Sequence, residues 1–130
     1  MSAMEFRESN MVNWFGVRPA HNGTQIGGYD SAENTTVDLY VNSSGKTSFI
    51  HTLIICVSPG AAGTVRVYVA DSSDVLDFYI YRRTVTANNY PGDIVVNYVY
   101  PLEIPNGYKI RINTNAAGLI IQVSYLGWEE

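Results

Sequence analysis

From about residue 37 onward, apolar side chains return at every second position, and nowhere at the three- and four-residue spacing of an amphipathic helix. Val37, Leu39 and Val41 alternate with Asp38 and Tyr40. Val65, Val67 and Val69 alternate with Arg66 and Tyr68, and Tyr108, Ile110 and Ile112 with Lys109, Arg111 and Asn113. Further runs rich in β-branched and aromatic residues cover Ser48 to Val57, Asp77 to Thr86, Ile94 to Tyr100 with its continuation to Ile104, and Leu119 to Leu126. Turn formers separate them: Asn42-Ser43-Ser44-Gly45, Ser58-Pro59-Gly60, Asn88 to Gly92, and Pro105-Asn106-Gly107. Parallel strands need crossover connections of a dozen or more residues, and no helical segment of that length lies between the runs. The fold class that follows is all-β, an antiparallel, jelly-roll-like β-sandwich of seven or eight strands. A chain of 130 residues makes one such domain and buries roughly 70% of its unfolded surface without needing disulfides or metal.

The first 32 residues read differently. Gly16, Pro19, Gly23, Gly27 and Gly28 interrupt every candidate element. Yet Trp14-Phe15 would expose a large aromatic area if left in water. The division expected is an irregular N-terminal arm at 1–32, packed on its own domain or on a neighbouring subunit, and a sandwich at 33–130.

Three of the runs carry more apolar surface than one buried face can use. In a two-layer sandwich each strand shows one face to the core and one to water. Around Ser48 to Val57, however, Phe49, Leu53, Ile55 and Val57 are opposed by Ile50, Ile54 and Cys56. Ile94, Val96, Tyr98 and Tyr100 are opposed by Val95 and Val99, and Leu119, Ile121, Val123 and Tyr125 by Ile120, Leu126 and Trp128. Charged residues are only 15% of the chain, too few to cover these second faces. Contiguous apolar surface of this kind marks an interface. Tyrosine, present ten times, strengthens that expectation, because it offers contact area at low side-chain entropy cost. Tyr40, Tyr68, Tyr79 and Tyr81 fall at nominally outward positions. The contact residues expected are Trp14, Phe15 and Val17 in the arm, with Tyr79, Tyr81, Tyr98, Tyr100 and Trp128 on the sandwich. The partners implied are other copies of the chain and a second protein.

Chemistry-bearing constellations are sparse. Net charge is −4, a poor match to nucleic acid, where affinity comes from neutralising phosphates. No apolar run reaches the 18 or so residues of a membrane-spanning helix, and the first ten residues lack the apolar core of a signal peptide. Cys56 sits in an apolar run with no basic neighbour to activate it, and reads as a small buried hydrophobe. His21 lies in a glycine-bounded loop; His51 shares parity with Phe49 and Leu53 and reads as a core or interface histidine. Two histidines and a distant cysteine do not make a zinc site. Asp71-Ser72-Ser73-Asp74, with Asp77 nearby, is the one segment with oxygen ligands for an ion, but it lacks the glycine-anchored calcium-loop spacing and suits a strand-ending turn equally. No catalytic residue, cofactor site or metal site is expected, and neither a nucleic-acid nor a membrane partner.

Four segments in order carry a resemblance: Thr47-Ser48-Phe49-Ile50-His51-Thr52-Leu53-Ile54-Ile55-Cys56-Val57; Gly63-Thr64-Val65-Arg66-Val67-Tyr68-Val69-Ala70; Pro101-Leu102-Glu103-Ile104-Pro105-Asn106-Gly107-Tyr108-Lys109-Ile110-Arg111-Ile112; and Leu119-Ile120-Ile121-Gln122-Val123-Ser124-Tyr125-Leu126-Gly127. Together they resemble a small β-sandwich domain of tailed-bacteriophage structural proteins, including head decoration (cement) proteins. The resemblance is in the order of elements rather than in one motif. It implies a non-enzymatic virion protein, assembled in the host cytoplasm, that self-associates and binds a major capsid or other virion protein. The alternative is a carbohydrate- or receptor-binding sandwich of a phage tail or fibre, with exposed Tyr and Trp stacking on sugar rings.

Overall fold

The computed structural model describes residues 23–89 and 92–130. Eight strands follow in chain order: β1 (Thr24–Glu33), β2 (Thr36–Val41), β3 (Ser48–Pro59), β4 (Gly63–Ala70), β5 (Leu76–Val85), β6 (Ile94–Ile104), β7 (Lys109–Thr114) and β8 (Leu119–Glu129). They form two four-stranded sheets, β1-β8-β3-β6 and β2-β7-β4-β5. Every pairing is antiparallel. First pairs with last in each case: β1 with β8, β2 with β7, β3 with β6 and β4 with β5. A long antiparallel ribbon rolled up on itself, with its strand pairs laid alternately in two sheets, produces this order, and it defines a jelly roll.

The core lies between the sheets. Leu53 and Ile55 of β3, Val65 and Val67 of β4, Ile110 and Ile112 of β7, and Ile121 and Val123 of β8 are wholly buried in one cluster. Each is worth about 1.5–3 kcal/mol relative to an exposed side chain, so the alternation of β4, β7 and β8 selects which face of each strand turns inward. The β6–β7 connection is set by Pro105-Asn106-Gly107. Tyr108 N donates to Pro105 O at 3.0 Å, and Gly107 adopts φ +88, which a side chain would resist.

Two sequence expectations are corrected. Residues 24–32, expected to belong to an irregular arm, form most of strand β1, paired with β8 in ten consecutive steps. Gly27 and Gly28 do not break it: Leu126 and Tyr125 of β8 fill the space their missing side chains leave. The second correction concerns parity. His51 is an extra residue in β3 opposite the Leu126-Gly127 step of β8. This bulge puts Ile50, rather than Phe49, on the core side with Leu53. Opposite the same point, Tyr98–Pro101 of β6 stand out of register, and Pro101 has no N–H to pair. Further register breaks at Leu39 in β2 and at Asp77 and Ile80 in β5 bring Tyr40 and Tyr81, expected to point outward, into contact with the core cluster.

Candidate functional site: the open side of the sandwich

The two long sides of the sandwich differ. On one, β1 passes into β2 through Asn34-Thr35 alone, and the two strands pack together across the sheets. Thr114 secures this corner: its buried hydroxyl accepts from Asn34 N and donates to Leu119 O, both at 2.7 Å. On the other side, β5 and β6 are the outermost strands of their sheets, and each packs chiefly on the strand beside it. Side chains that turn inward there remain only partly covered. Phe78, opposite Val69, is exposed, while Ile94, Val96 and Tyr98 are half-buried. Burial pushes the Tyr98 phenol above its ordinary pKa.

Most of the exposed large apolar side chains collect here. Val75 just precedes β5, and Leu76, Phe78 and Tyr79 lie on it; Val95, Val99 and Tyr100 lie on β6, the last 88% exposed in the β6 bulge, with Tyr79 beside Tyr68 on the outer face of one sheet and Val95 beside Ile54 on the outer face of the other. Tyr79 meets Tyr68 edge-on at 6.0 Å, and the Arg82 guanidinium lies 5.8 Å from the Tyr79 ring centre. Four of the expected contact residues, Tyr79, Tyr81, Tyr98 and Tyr100, lie on these two outermost strands, Tyr81 and Tyr98 partly buried against the core. Trp128 does not. It is 5% exposed, stacked on Phe49 at 5.3 Å and on His51 at 6.2 Å, and its Nε1 donates to Glu130. Trp14, Phe15 and Val17 lie outside the described residues, as does His21. Val95 and Val99 had shown as surplus apolar residues, but Val75, Leu76 and Phe78 were not singled out from sequence, because an outermost strand looks the same in sequence as a central one.

A second apolar feature is a hollow of about 290 Å³ on the outer face of the β1-β8-β3-β6 sheet. Gly27, Gly28, Tyr29, Ile54, Tyr125 and Leu126 line it, and the Thr52 and Ser124 side chains are its only hydroxyls besides the tyrosines.

The outer face of the other sheet is ionic. Arg111 Nε bonds Asp38 at 2.8 Å, and Lys109 donates to Asp74 while lying 3.8 Å from Asp38. The acidic turn considered for an ion is thus engaged within the fold. Asp71 Oδ1 accepts from Ser73 N at 2.8 Å and Val75 N at 3.0 Å, and Asp74 takes Lys109. Among the described residues no group of three or more His, Cys, Asp or Glu is arranged to hold a metal. The Lys109 ammonium holds the Asp74 carboxyl below its ordinary pKa, and Asp74 in turn raises Lys109. A carboxyl whose folded pKa is depressed stabilises the fold above its unfolded pKa, about 4, and loses that contribution as pH falls through the lower folded value. Asp74→Asn is therefore expected to flatten the acid side of a plot of urea midpoint against pH. An unaltered acid slope would show that the pair adds nothing measurable.

The remaining reactive groups are held in place. Burial, with the Asp93 carboxylate nearby, pushes the Cys56 thiol up, away from the thiolate. His51 Nδ1 lies 2.7 Å from the Thr52 hydroxyl, which donates to Asn97 Oδ1 at 3.0 Å.

Fold and surface together define an eight-stranded jelly roll with one closed and one open long side, its two open-side strands carrying most of the exposed apolar side chains. No protein-family model matches the chain, and no curated protein sequence matches it. Solved structures do match. A chain in the capsid asymmetric unit of cyanophage Pam1 superposes with TM-score 0.52 at 13% identity, over 86% of this chain and 91% of that one. A pentameric capsid protein from metagenomic phage sequences gives TM-score 0.42 at 15% identity, over 82% of this chain and 62% of that one. CapF, crystallised with 3-isopropenyl-tropolone, gives TM-score 0.36 at 13% identity, over 85% of this chain and 26% of that one. At such identities the likeness is one of fold, and the Pam1 capsid match, which spans nearly all of both chains, establishes a fold found in a phage capsid.

Proposed function

We propose that this chain is a non-enzymatic structural protein of a virion, a decoration or cement protein that binds copies of itself and the major capsid lattice. The observation that carries the proposal is the set of exposed apolar side chains on the two outermost strands, β5 and β6, of a jelly roll that is closed on its other long side. The Pam1 capsid likeness supports it, since that neighbour is a chain of comparable extent within a capsid asymmetric unit. The N-terminal segment, with Trp14, Phe15 and Val17, is the staple that reaches a neighbouring shell protein. Many such contacts acting together hold a lattice more firmly than any one of them. A sugar-binding role draws less support, because the hollow beside Tyr29 offers few hydroxyl partners for a glycan.

Two measurements test the proposal. Light scattering on the full chain at micromolar concentration is expected to give a mass above the 14.4 kDa of one chain. Shells assembled from the cognate major capsid protein are expected to carry it into the pellet, and deletion of residues 1–22 to reduce that recovery while β1 to β8 stay folded. A monomer that never sediments with shells would overturn the role, and full recovery of the truncated chain would overturn the staple.

A further inference from the structure

The closed long side of the sandwich still has a free sheet edge. β1 and β2 pack across the sheets without sharing a ladder, so β1 remains the outermost strand of its sheet. Eight of its ten residues are exposed. Which of its backbone groups face outward follows from the pairing one strand further in. Thr47 and Glu130 exchange both backbone hydrogen bonds, at 3.0 and 3.1 Å, so the even-numbered residues of β8 bond toward β3 and the odd-numbered ones toward β1. Odd residues of β8 stand opposite even residues of β1. The N–H and C=O groups of Gly27, Tyr29 and Ser31 therefore point away from the sheet. Ser31 N agrees, since it donates to the Asp30 carboxylate at 2.8 Å rather than into the ladder. Among the described residues none bonds the outward groups of Gly27 and Tyr29.

Proteins blunt such edges with bulges, Pro or Lys. β2 breaks register at Leu39, β5 at Asp77 and Ile80, and β6 at Tyr98–Pro101. Of the four outermost strands only β1 is unbroken, over ten steps, and it holds no Pro, Lys or Arg. Its side chains add a second feature. Gly27 and Tyr29 both face the outer side of the sheet, opposite Leu126 and Ser124 and beside the hollow. Gly27 raises no side chain there and has the exposed Leu126 behind it, whereas Tyr29 is a projecting ring, 71% exposed.

We propose that β1 is the seam of a two-fold dimer, in which the β1 strands of two copies pair antiparallel about Gly28 and join two four-stranded sheets into one of eight. Gly27 of each copy then lies opposite Tyr29 of the other, and each such pair exchanges two backbone hydrogen bonds. The same register sets each Tyr29 ring against the other copy's Gly27 and Leu126, at the hollow, as a cross-strand pair. The low point and the ring are two residues apart on one strand, so a two-fold axis at the residue between them matches both pairs at once. Asp30, the charge nearest the axis, falls opposite Ile26 of the other copy rather than opposite its own counterpart. A seam along most of β1 is about 30 Å long and, with β2 about 10 Å behind it and side chains beyond both, covers roughly 500 Å² per copy. Two copies together reach the ~1,000 Å² at which specific interfaces begin. The seam rests on the self-association proposed above and adds to it a surface, a register and a symmetry.

Sedimentation equilibrium of the full chain is expected to give twice the mass of one chain. Tyr29→Ala keeps the ladder but removes the ring, and is expected to weaken the dimer about tenfold. Tyr29→Pro also removes the outward N–H, two hydrogen bonds per dimer, and is expected to weaken it about a hundredfold or more. Tyr100→Ala, which removes an exposed tyrosine on β6, is expected to leave dimerisation unchanged. Amide exchange reads the seam without any variant: the Gly27 and Tyr29 amides of the unaltered chain are expected to slow about tenfold or more as concentration rises through the dimerisation range. A dimer that either Tyr29 variant leaves intact or that Tyr100→Ala weakens as much, exchange at Gly27 and Tyr29 that ignores concentration, or a mass other than two chains would each overturn the seam and leave self-association standing. A monomer at every concentration would overturn the seam and the self-association together, with the virion role still judged by recovery with shells.

Discussion

Adding one methyl group at position 127 is expected to cost this protein about 3 kcal/mol or more, enough to unfold a marginal domain. Gly127 is buried in β8 opposite the β3 bulge. A β-carbon there would overlap the Phe49 carbonyl oxygen and come within 3.0 Å of Ile50 Cα. Both are backbone atoms of the neighbouring strand, so no side chain can swing aside to relieve the clash. The bulge at His51 is what brings that backbone so near, and Ile50 is wholly buried beside it. Gly127→Ala must therefore open the β3–β8 ladder or shift it by a residue, and a one-residue slip would turn a core face outward. Gly27→Ala serves as the comparison. Its β-carbon would lie 3.0 Å from Leu126 Cδ2, the movable end of a partly exposed side chain, and 3.2 Å from the Tyr125 carbonyl oxygen, a contact an outermost strand can relieve by a shift of a few tenths of an ångström. Urea unfolding is expected to show less than about 1 kcal/mol lost at position 27. Similar midpoints for the two variants would mean that the β3 bulge does not bring the strands into the contact described.

Seven of the eight strands were legible in the sequence, for a physical reason. In β4 and β7 one face packs on the core while the other carries Arg66, Tyr68, Lys109, Arg111 and Asn113, so alternation is written directly into residue type. β1 was not legible. Its side chains Thr24, Gln25, Asp30, Ser31 and Glu33 are polar, its Gly27-Gly28 pair looks like a breaker, and only Ala32 is fully buried. What holds β1 is its ladder with β8, a long-range pairing that no local pattern announces. Bulges were equally hidden. His51 and Ile80 each insert one residue, and the insertion reverses the face of everything beyond it, so Phe49 and Tyr81 exchanged their expected environments. The surplus of apolar surface was legible in Val95 and Val99. Its concentration on the two outermost strands was not, because which strands end up outermost is decided by the first-with-last pairing of the whole chain.

The same dependence on distant partners makes Asn42 the most consequential polar side chain in the fold. It follows β2 directly and is wholly buried. Its Nδ2 donates to Lys46 O at 2.7 Å and to Ile104 O at 2.8 Å, and its Oδ1 accepts from the Ser44 hydroxyl at 3.0 Å. Its backbone joins in: Asn42 N donates to Tyr108 O at 2.9 Å, and Gly107 N donates to Asn42 O at 2.7 Å. One residue thus ties the β2–β3 turn, the end of β6 and the β6–β7 turn together. Asn42→Ala keeps the backbone bonds but strands two carbonyls, one of them on buried Ile104, and leaves a small cavity. Each unsatisfied buried acceptor costs about 1–3 kcal/mol, so a total near 3 kcal/mol is expected from urea unfolding. Asn42→Asp separates the two contributions. It fills the same space but replaces the donating amide with a carboxylate that can only accept, and turns it toward those same two carbonyl oxygens. It is expected to be at least as destabilising as Asn42→Ala at neutral pH, and to recover part of the loss in acid, where the protonated carboxyl can donate one hydrogen bond. If Asn42→Asp is instead as stable as the unaltered chain at neutral pH, the amide donors are not what holds these three segments, and the anchoring role passes to the backbone bonds of residue 42.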